Sequence, residues 1–250
     1  MTLNAEARRR RFHQYGPWAL VIGVAVIALL VQAVRRHAIH ASYVYYFLVL
    51  VPSIVLHEVS HGFVANLFGD DTAKRAGRLT LNPLRHIDPV GTIVLPALLL
   101  FFGAPAFGWA KPVPVSVNRL RHPRNQSVLV SLAGPATNLV IAAAAGFALM
   151  LTTHSGATLG PSLSVPFQLL FLLGVANVIV AIFNLIPIPP LDGSAVIERF
   201  LPASALPRYY QLRQLSMVLI LLLVFFGGGF LNSLFDHALT TWQRIWLPNY

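Results

Sequence analysis

The chain has 250 residues, of which 56% are apolar and only 10% are charged. Soluble domains carry about 25% charged residues, and eight acidic side chains cannot form a soluble surface of mixed charge. The composition therefore predicts an integral membrane protein and excludes a disordered chain. The absence of cysteine excludes disulfides, thiolate zinc sites and a thiol nucleophile. In such a chain, the net charge of +10 indicates topology and anionic lipid rather than nucleic acid.

Six segments are apolar over about the 20 residues that a membrane span needs. In chain order they are 17–34, 43–68, 90–109, 126–151, 165–190 and 214–234. The first follows four arginines at 8–11, and we expect an uncleaved anchor rather than a signal peptide. Without a recognisable repeat or soluble domain, the segments predict an all-α, polytopic helix bundle. Residues 1–250 would form a single integral membrane domain with its core at about residues 43–200.

Basic residues predict the orientation of these segments, because lysine and arginine concentrate on the cytoplasmic side. The arginines at 8–11 place the N-terminus in the cytoplasm, and the loop 152–164, without lysine or arginine, faces outward. Segment 90–109 is flanked by basic clusters on both sides and interrupted by proline and glycine. A re-entrant hairpin satisfies both facts. We expect five full spans plus this hairpin, with six spans as the alternative.

The second segment contains ionisable residues, which are costly at lipid depth and indicate function. His57 and His61 are four residues apart, so both imidazoles lie on one helix face and can bind one ion. Glu58 lies between them and could act on a water at that ion. This His-Glu-x-x-His pattern is the signature of zinc peptidases. A polar pair packed between helices without metal is the alternative, but two histidines around a glutamate favour the metal site.

A catalytic zinc ion needs a third protein ligand. Asp192 follows a proline-rich stretch, residues 184–191, that cannot continue as a regular helix. Irregular backbone at membrane depth must lie beside protein or a cavity. The predicted topology puts this stretch on the same side as His57 and His61, so Asp192 is the favoured third ligand. Other histidines remain alternatives, although each is expected in a loop or beyond the last span: His86, His122, His154 and His237.

Together with Asn184 and Asp192-Gly193, the motif at residues 57–61 resembles the site-2 protease family of intramembrane zinc metalloproteases. The resemblance is to the small bacterial branch without an inserted PDZ domain or a terminal CBS domain, and it covers about residues 43–200. Further matching motifs are Gly69-Asp70, Gly77-Arg78-Leu79, Asn82-Pro83, His86-Ile87-Asp88-Pro89, the run from Gly108 to Pro114, and Ala133-Gly134-Pro135 with Asn138.

This resemblance implies roles for individual residues. His57, His61 and Asp192 would bind one zinc ion per chain, with Glu58 as general base and acid and Asn184 as a donor to the substrate carbonyl or oxyanion. Packing or substrate placement would be the role of Gly134, Pro135 and Asn138. Segment 111–117, which alternates proline and valine, is either a strand edge for an unwound substrate or a plain linker.

The implied activity is hydrolysis of peptide bonds within or near transmembrane segments, in regulated intramembrane proteolysis. The partners would be a transmembrane protein or peptide substrate and the lipid bilayer, with no nucleic acid. The location would be a bacterial inner membrane, crossed several times. A metal-binding transporter or channel without protease activity is the alternative. The natural substrate and the oligomeric state stay open, and the residues after 202 either gate substrate or complete the bundle.

Overall fold

A computed structural model of the chain describes residues 41–94, 109–154, 165–202 and 204–247. Within these ranges the protein is helical or irregular and contains no strand. The predicted first span, 17–34, the outward loop beyond residue 154 and most of the hairpin segment 90–109 lie outside the described residues. The architecture below concerns the compact unit Tyr46–Tyr250, together with the start of its first helix.

Eight α-helices follow one another in the described part of the chain. We number them α1 (Ala41–Leu67), α2 (Thr72–Arg75), α3 (Pro123–His154), α4 (Val165–Leu185), α5 (Ser194–Phe200), α6 (Leu206–Gln214), α7 (Ser216–Phe226) and α8 (Gly228–Trp246). A π-helical turn at Pro89–Val94 and two short 3-10 turns at Pro83–Arg85 and Val117–Arg119 interrupt the connection between α2 and α3.

Three of these helices are long and apolar enough to cross a membrane: α1 over Val44–Leu67, α3 over Pro123–Thr152, and α4. They match the predicted segments 43–68, 126–151 and the larger part of 165–190. Helices α7 and α8 meet the same test as a pair, bent by 73°, and form either a broken span or a re-entrant loop. The all-helical membrane class is confirmed, while the predicted total of five spans plus a hairpin, or six, stays a prediction.

The predicted segment 214–234 is not one continuous helix, because the helix breaks at Gly227. Three glycines, 227–229, stand at this point, and each costs about 1 kcal/mol relative to alanine inside a helix. The second helix then continues to Trp246, well past the expected end. The break separates an almost wholly apolar helix, α7, from the more polar α8.

Helix α4 ends at Leu185, five residues before the end of the predicted segment. Pro187, Pro189 and Pro190 follow, and proline cannot donate the backbone hydrogen bond that a helix requires. The chain turns back instead, so that the Gly193 N–H donates to the Asn184 carbonyl over 2.7 Å. The prediction that this stretch leaves the helix is confirmed.

The second half of α8 is held in the bundle by two tryptophans, which occupy the space that two glycines without side chains leave on the neighbouring helices. The indole of Trp242 lies where a Cβ on Gly174 of α4 would be, and the indole of Trp246 lies in the same way on Gly146 of α3. The Trp242 indole N–H also donates to the Ala142 carbonyl over 2.9 Å. This part of α8 therefore completes the bundle, which is one of the two roles expected for the residues after 202.

Candidate metal centre and active site

Helix α1 carries His57 and His61 one turn apart on a face that the bundle covers. Their side chains belong to residues that are only 5% and 9% exposed. The ring centroids are 4.7 Å apart and the rings meet edge to face, at 85°. This is the geometry that four-residue spacing on a helix predicts.

Asp192 reaches the two histidines from the turn between α4 and α5. Its Oδ2 lies 3.1 Å from the Nε2 of His57 and 3.4 Å from the Nε2 of His61. The three ligand atoms lie within 4.8 Å of one another. Ligands about 2.0–2.2 Å from a tetrahedral zinc ion would be separated by about 3.3 Å. The structure thus brings together the three residues that the sequence suggested as ligands, at distances that fit a zinc ion.

Hydrogen bonds to the other ring nitrogens identify the tautomers of both histidines. His61 Nδ1 lies 2.7 Å from the backbone carbonyl of Val130, which only accepts, so Nδ1 carries the hydrogen. His57 Nδ1 donates in the same sense to Asn138 Oδ1 over 2.5 Å. If the rings are neutral, as metal ligation requires, both Nε2 atoms direct lone pairs at the Asp192 carboxylate.

Three acceptors that face one another in a buried place are unfavourable together, and a metal ion between them would satisfy all three. Asp192 Oδ2 is buried and receives no hydrogen bond of good geometry, although both Nε2 atoms lie within 3.4 Å of it. We therefore regard the short Nε2–Oδ2 distances as those of a ligand set rather than of hydrogen-bonded ion pairs. Neutral imidazole and carboxylate are ligands that zinc prefers.

Helix α3 passes directly over the ligands at Gly134. A Cβ on this glycine would lie 2.5 Å from the Nε2 atoms of both His57 and His61. Only a residue without a side chain leaves those atoms free to bind a metal ion. Pro135 and Asn138 lie on the same helix and are fully buried. Packing and substrate placement were the two roles expected for this motif. The structure shows a packing role, with Gly134 and Asn138 in direct contact with the histidines.

Glu58 points to the irregular segment that precedes α3. Its Oε2 accepts a hydrogen bond from the Val113 backbone N–H over 2.9 Å. The same segment is held from the other side by the buried side chain of Arg78, whose guanidinium donates to the carbonyls of Lys111 and Pro112 over 2.7 and 3.3 Å and to the carbonyl of Arg85.

Segment 111–117 forms no strand in the described structure, so the expected strand edge is not observed. Two of its residues are prolines without an N–H, and the N–H of Val113 between them is bound by Glu58. The Lys111 N–H donates to the carbonyl of His86 over 2.8 Å. The segment is a loop held by hydrogen bonds, and it does not offer the edge of a strand.

Asp70, just after α1, fastens the far end of this segment. Its buried carboxylate accepts from the backbone N–H of Ser116 over 2.6 Å, and from both the N–H and the hydroxyl of Thr72. Burial opposes ionisation of Asp70, but these hydrogen bonds and the charge of Arg119 outweigh it and lower the pKa of the carboxyl below its ordinary value. The resemblance included Gly69-Asp70 as a matching motif but implied no role for this carboxylate.

Asn184, the residue expected to donate to an oxyanion, ends α4 beside the Asp192 turn. Its carbonyl accepts from the N–H of Gly193, and one N–H of its side-chain amide donates to the carbonyl of Val180 over 3.0 Å. A side-chain amide carries two N–H groups. The structure therefore connects Asn184 to the metal-binding turn through the backbone.

Comparisons with known proteins also indicate a zinc peptidase. A family model described as peptidase family M50 matches residues 151–227, a range that contains Asn184 and Asp192. The "putative zinc metalloprotease YwhC" of Bacillus subtilis is 40% identical over 211 residues, which are 82% of this chain and 93% of that protein. No solved structure matches the chain significantly.

Two further relatives are each named "putative zinc metalloprotease Rip2". The protein of Mycolicibacterium smegmatis is 36% identical over 162 residues, 63% of this chain and 59% of the relative. The protein of Mycobacterium tuberculosis is 31% identical over 171 residues, 68% of this chain and 62% of the relative. The match to YwhC covers nearly the whole relative, and the described helices include three that can span a membrane. The chain is thus a zinc metalloprotease with several membrane-spanning helices and belongs to peptidase family M50, the site-2 proteases.

Proposed function

We propose that this protein is an intramembrane endopeptidase that cleaves transmembrane proteins within or near their spans, in regulated intramembrane proteolysis. His57, His61 and Asp192 bind one zinc ion, and Glu58 is the catalytic acid and base. The observation that carries the proposal is that the Nε2 atoms of two histidines on an apolar helix of spanning length lie 3.1 and 3.4 Å from the Asp192 carboxylate oxygen.

When bound, zinc supplies a Lewis acid that makes water a nucleophile near neutral pH and polarises the scissile carbonyl. Glu58 takes a proton from the attacking water and passes it to the leaving amine. The Val113 N–H holds one carboxylate oxygen of Glu58 and leaves the other oxygen free to handle the proton. Asn184 donates its amide N–H to the oxyanion, a contact typically worth about 3–4 kcal/mol of the barrier.

The substrate class follows from where these residues lie. The ligands of α1 are inside a spanning helix, so the scissile bond must reach membrane depth. A transmembrane substrate protects its carbonyls in intrahelical hydrogen bonds, and it must unwind locally before attack. We therefore propose substrates with helix-breaking residues near the cleaved bond. We further propose a single domain over residues 1–250 in a bacterial inner membrane, with the N-terminus in the cytoplasm as the basic residues indicate.

The test compares Glu58→Gln with His57→Ala in purified protein. Zinc per chain is measured by atomic absorption, and cleavage is measured on a membrane-embedded peptide in liposomes. We expect Glu58→Gln to keep zinc and to lose about 10²–10⁴-fold in cleavage rate, because only the proton-transfer group is removed. The His57→Ala variant should lose zinc as well as activity. Cleavage by Glu58→Gln at the parental rate, with zinc bound, would refute the mechanism.

A further inference from the structure

Three polar side chains that are not metal ligands lie buried between the spanning helices, beside His57. Ser53 of α1, Asn138 of α3 and Asn177 of α4 are 1%, 0% and 0% exposed. Burying a polar group in an apolar surrounding costs free energy unless it is hydrogen-bonded. These residues bond to one another, and the chain of bonds that they form ends on a metal ligand.

The direction of every hydrogen bond in this chain follows from its far end. The Ser53 hydroxyl donates over 2.7 Å to the Val49 carbonyl, which only accepts. Ser53 then accepts from the Asn177 amide over 2.8 Å, and the same amide nitrogen donates over 2.8 Å to the Leu173 carbonyl. Both contacts fix the Asn177 side chain with its NH₂ group toward Ser53 and its oxygen toward α3.

The orientation of Asn177 in turn fixes that of Asn138. The Asn177 oxygen accepts from the Asn138 NH₂ group over 2.6 Å, so the Asn138 oxygen is the atom that faces His57 Nδ1. An amide oxygen at that position selects the His57 tautomer with the hydrogen on Nδ1. Nε2 is then the free lone pair, 3.1 Å from the Asp192 carboxylate.

We propose that Asn177 and Ser53 are positioning residues that hold the zinc-binding tautomer and ring orientation of His57 through Asn138. The proposal rests on the role of His57 as a zinc ligand. It makes the metal site depend on the packing of three helices, since Ser53, Asn138 and Asn177 come from α1, α3 and α4. Hydrogen bonds from outer partners typically contribute 10–100-fold to metal affinity.

The test is a set of leucine and alanine variants of the purified full chain, with the zinc dissociation constant measured by competition with a chelator. Asn177→Leu keeps the approximate shape but removes the acceptor that orients Asn138, so we expect zinc affinity to fall about tenfold. Ser53→Ala should cost less, about threefold, because Leu173 still holds the Asn177 amide. The matched control is Asn125→Leu on α3, about 20 Å along the helix from Asn138.

A double-mutant cycle separates positioning from general packing. If Asn177 acts through Asn138, adding Asn177→Leu to an Asn138→Leu protein should not weaken zinc binding further. Thermal unfolding of the metal-free proteins, measured on the same samples, reports any packing defect. The absorption bands of the cobalt-loaded proteins should change in Asn177→Leu and stay parental in Asn125→Leu, because only the former disturbs a ligand.

Several results would overturn the proposal. It fails if Asn177→Leu binds zinc as tightly as Asn125→Leu, or if the losses in Asn138→Leu and Asn177→Leu multiply. Should Asn177→Leu not fold, Ser53→Ala decides: its threefold loss must be present in the parent and absent in the Asn138→Leu background. Zinc retention by His57→Ala would instead refute the proposed ligand set, whatever Asn177 does.

Discussion

Substituting Gly134 by alanine should destroy the metal site while leaving the helix intact. The added methyl group would lie 2.5 Å from the Nε2 atoms of both His57 and His61. Non-bonded heavy atoms normally stay about 3.5 Å or more apart. Each imidazole would therefore have to withdraw its ligating nitrogen by about 1 Å.

That displacement is far outside the tolerance of a zinc site, in which ligand distances vary by about 0.2 Å. We expect zinc affinity to fall at least about 100-fold, which corresponds to about 2.8 kcal/mol. The metal-free fold should lose less, because each imidazole can turn from the methyl group at the cost of its Nδ1 hydrogen bond, about 0.5–1.5 kcal/mol. Replacing glycine by alanine inside a helix contributes about 0.5–1 kcal/mol of stability.

The assay is chelator competition for zinc, combined with thermal unfolding of the metal-free protein in detergent. Gly228→Ala is the matched control, since a Cβ there meets nothing within 4 Å. Without metal, Gly228→Ala should unfold at or above the parental temperature and Gly134→Ala only slightly below it, and only Gly134→Ala should fail to bind zinc. Parental zinc affinity in Gly134→Ala would show that His57 and His61 do not bind the ion through Nε2.

Three further predictions concern the surroundings of the site. Arg78→Lys should lower kcat about tenfold or more with zinc retained, because lysine cannot bind all three carbonyls that hold the loop against Glu58. The control, Arg75→Lys on the exposed surface, should leave kcat unchanged. Gly174→Ala should lower the unfolding temperature, since its Cβ would lie 2.1 Å from a buried indole, and Gly228→Ala should not. The pKa of Asp70 is lower in the folded protein, so its ionised carboxylate stabilises the fold above about pH 4. This stabilisation is lost as the pH falls through the folded pKa. The unfolding temperature of Asp70→Asn should therefore depend less on pH in that acidic range than the parental one.

The parts of the site that the sequence predicted are those governed by local geometry. Four-residue spacing puts His57 and His61 on one helix face whatever surrounds the helix. Single prolines lie inside α1 and α3, at 52 and 135. Three prolines within four residues, at 187, 189 and 190, end a helix, so the irregular turn before Asp192 could also be predicted. The helix break at Gly227 was missed because apolar composition suggested one continuous span, although three glycines in a row signalled a weak point.

The partners of those residues could not be predicted, because several of them are backbone groups. His61 is oriented by the carbonyl of Val130 and Glu58 by the N–H of Val113, and neither atom has a side-chain signature. Asn177 had a visible signal, a polar amide in an apolar helix, but its significance depends on which residue of α3 faces it. That information is tertiary and appears only when the helices are packed.

Helix pairing inside a membrane explains why the small residues matter as much as the polar ones. Lipid is as apolar as leucine, so hydrophobicity cannot choose the partner of a spanning helix, and close packing at small residues does so instead. Here Gly146 and Gly174 receive the two tryptophans of α8, while Gly134 receives the imidazoles of α1. The first two contacts hold the bundle together, and the third brings α3 close enough for Asn138 to reach His57. The same absence of a side chain at Gly134 thus permits the helix crossing and leaves the ligand nitrogens free. Changing it to alanine should therefore cost some stability and much more metal binding, because the overlap falls on the ligating atoms themselves.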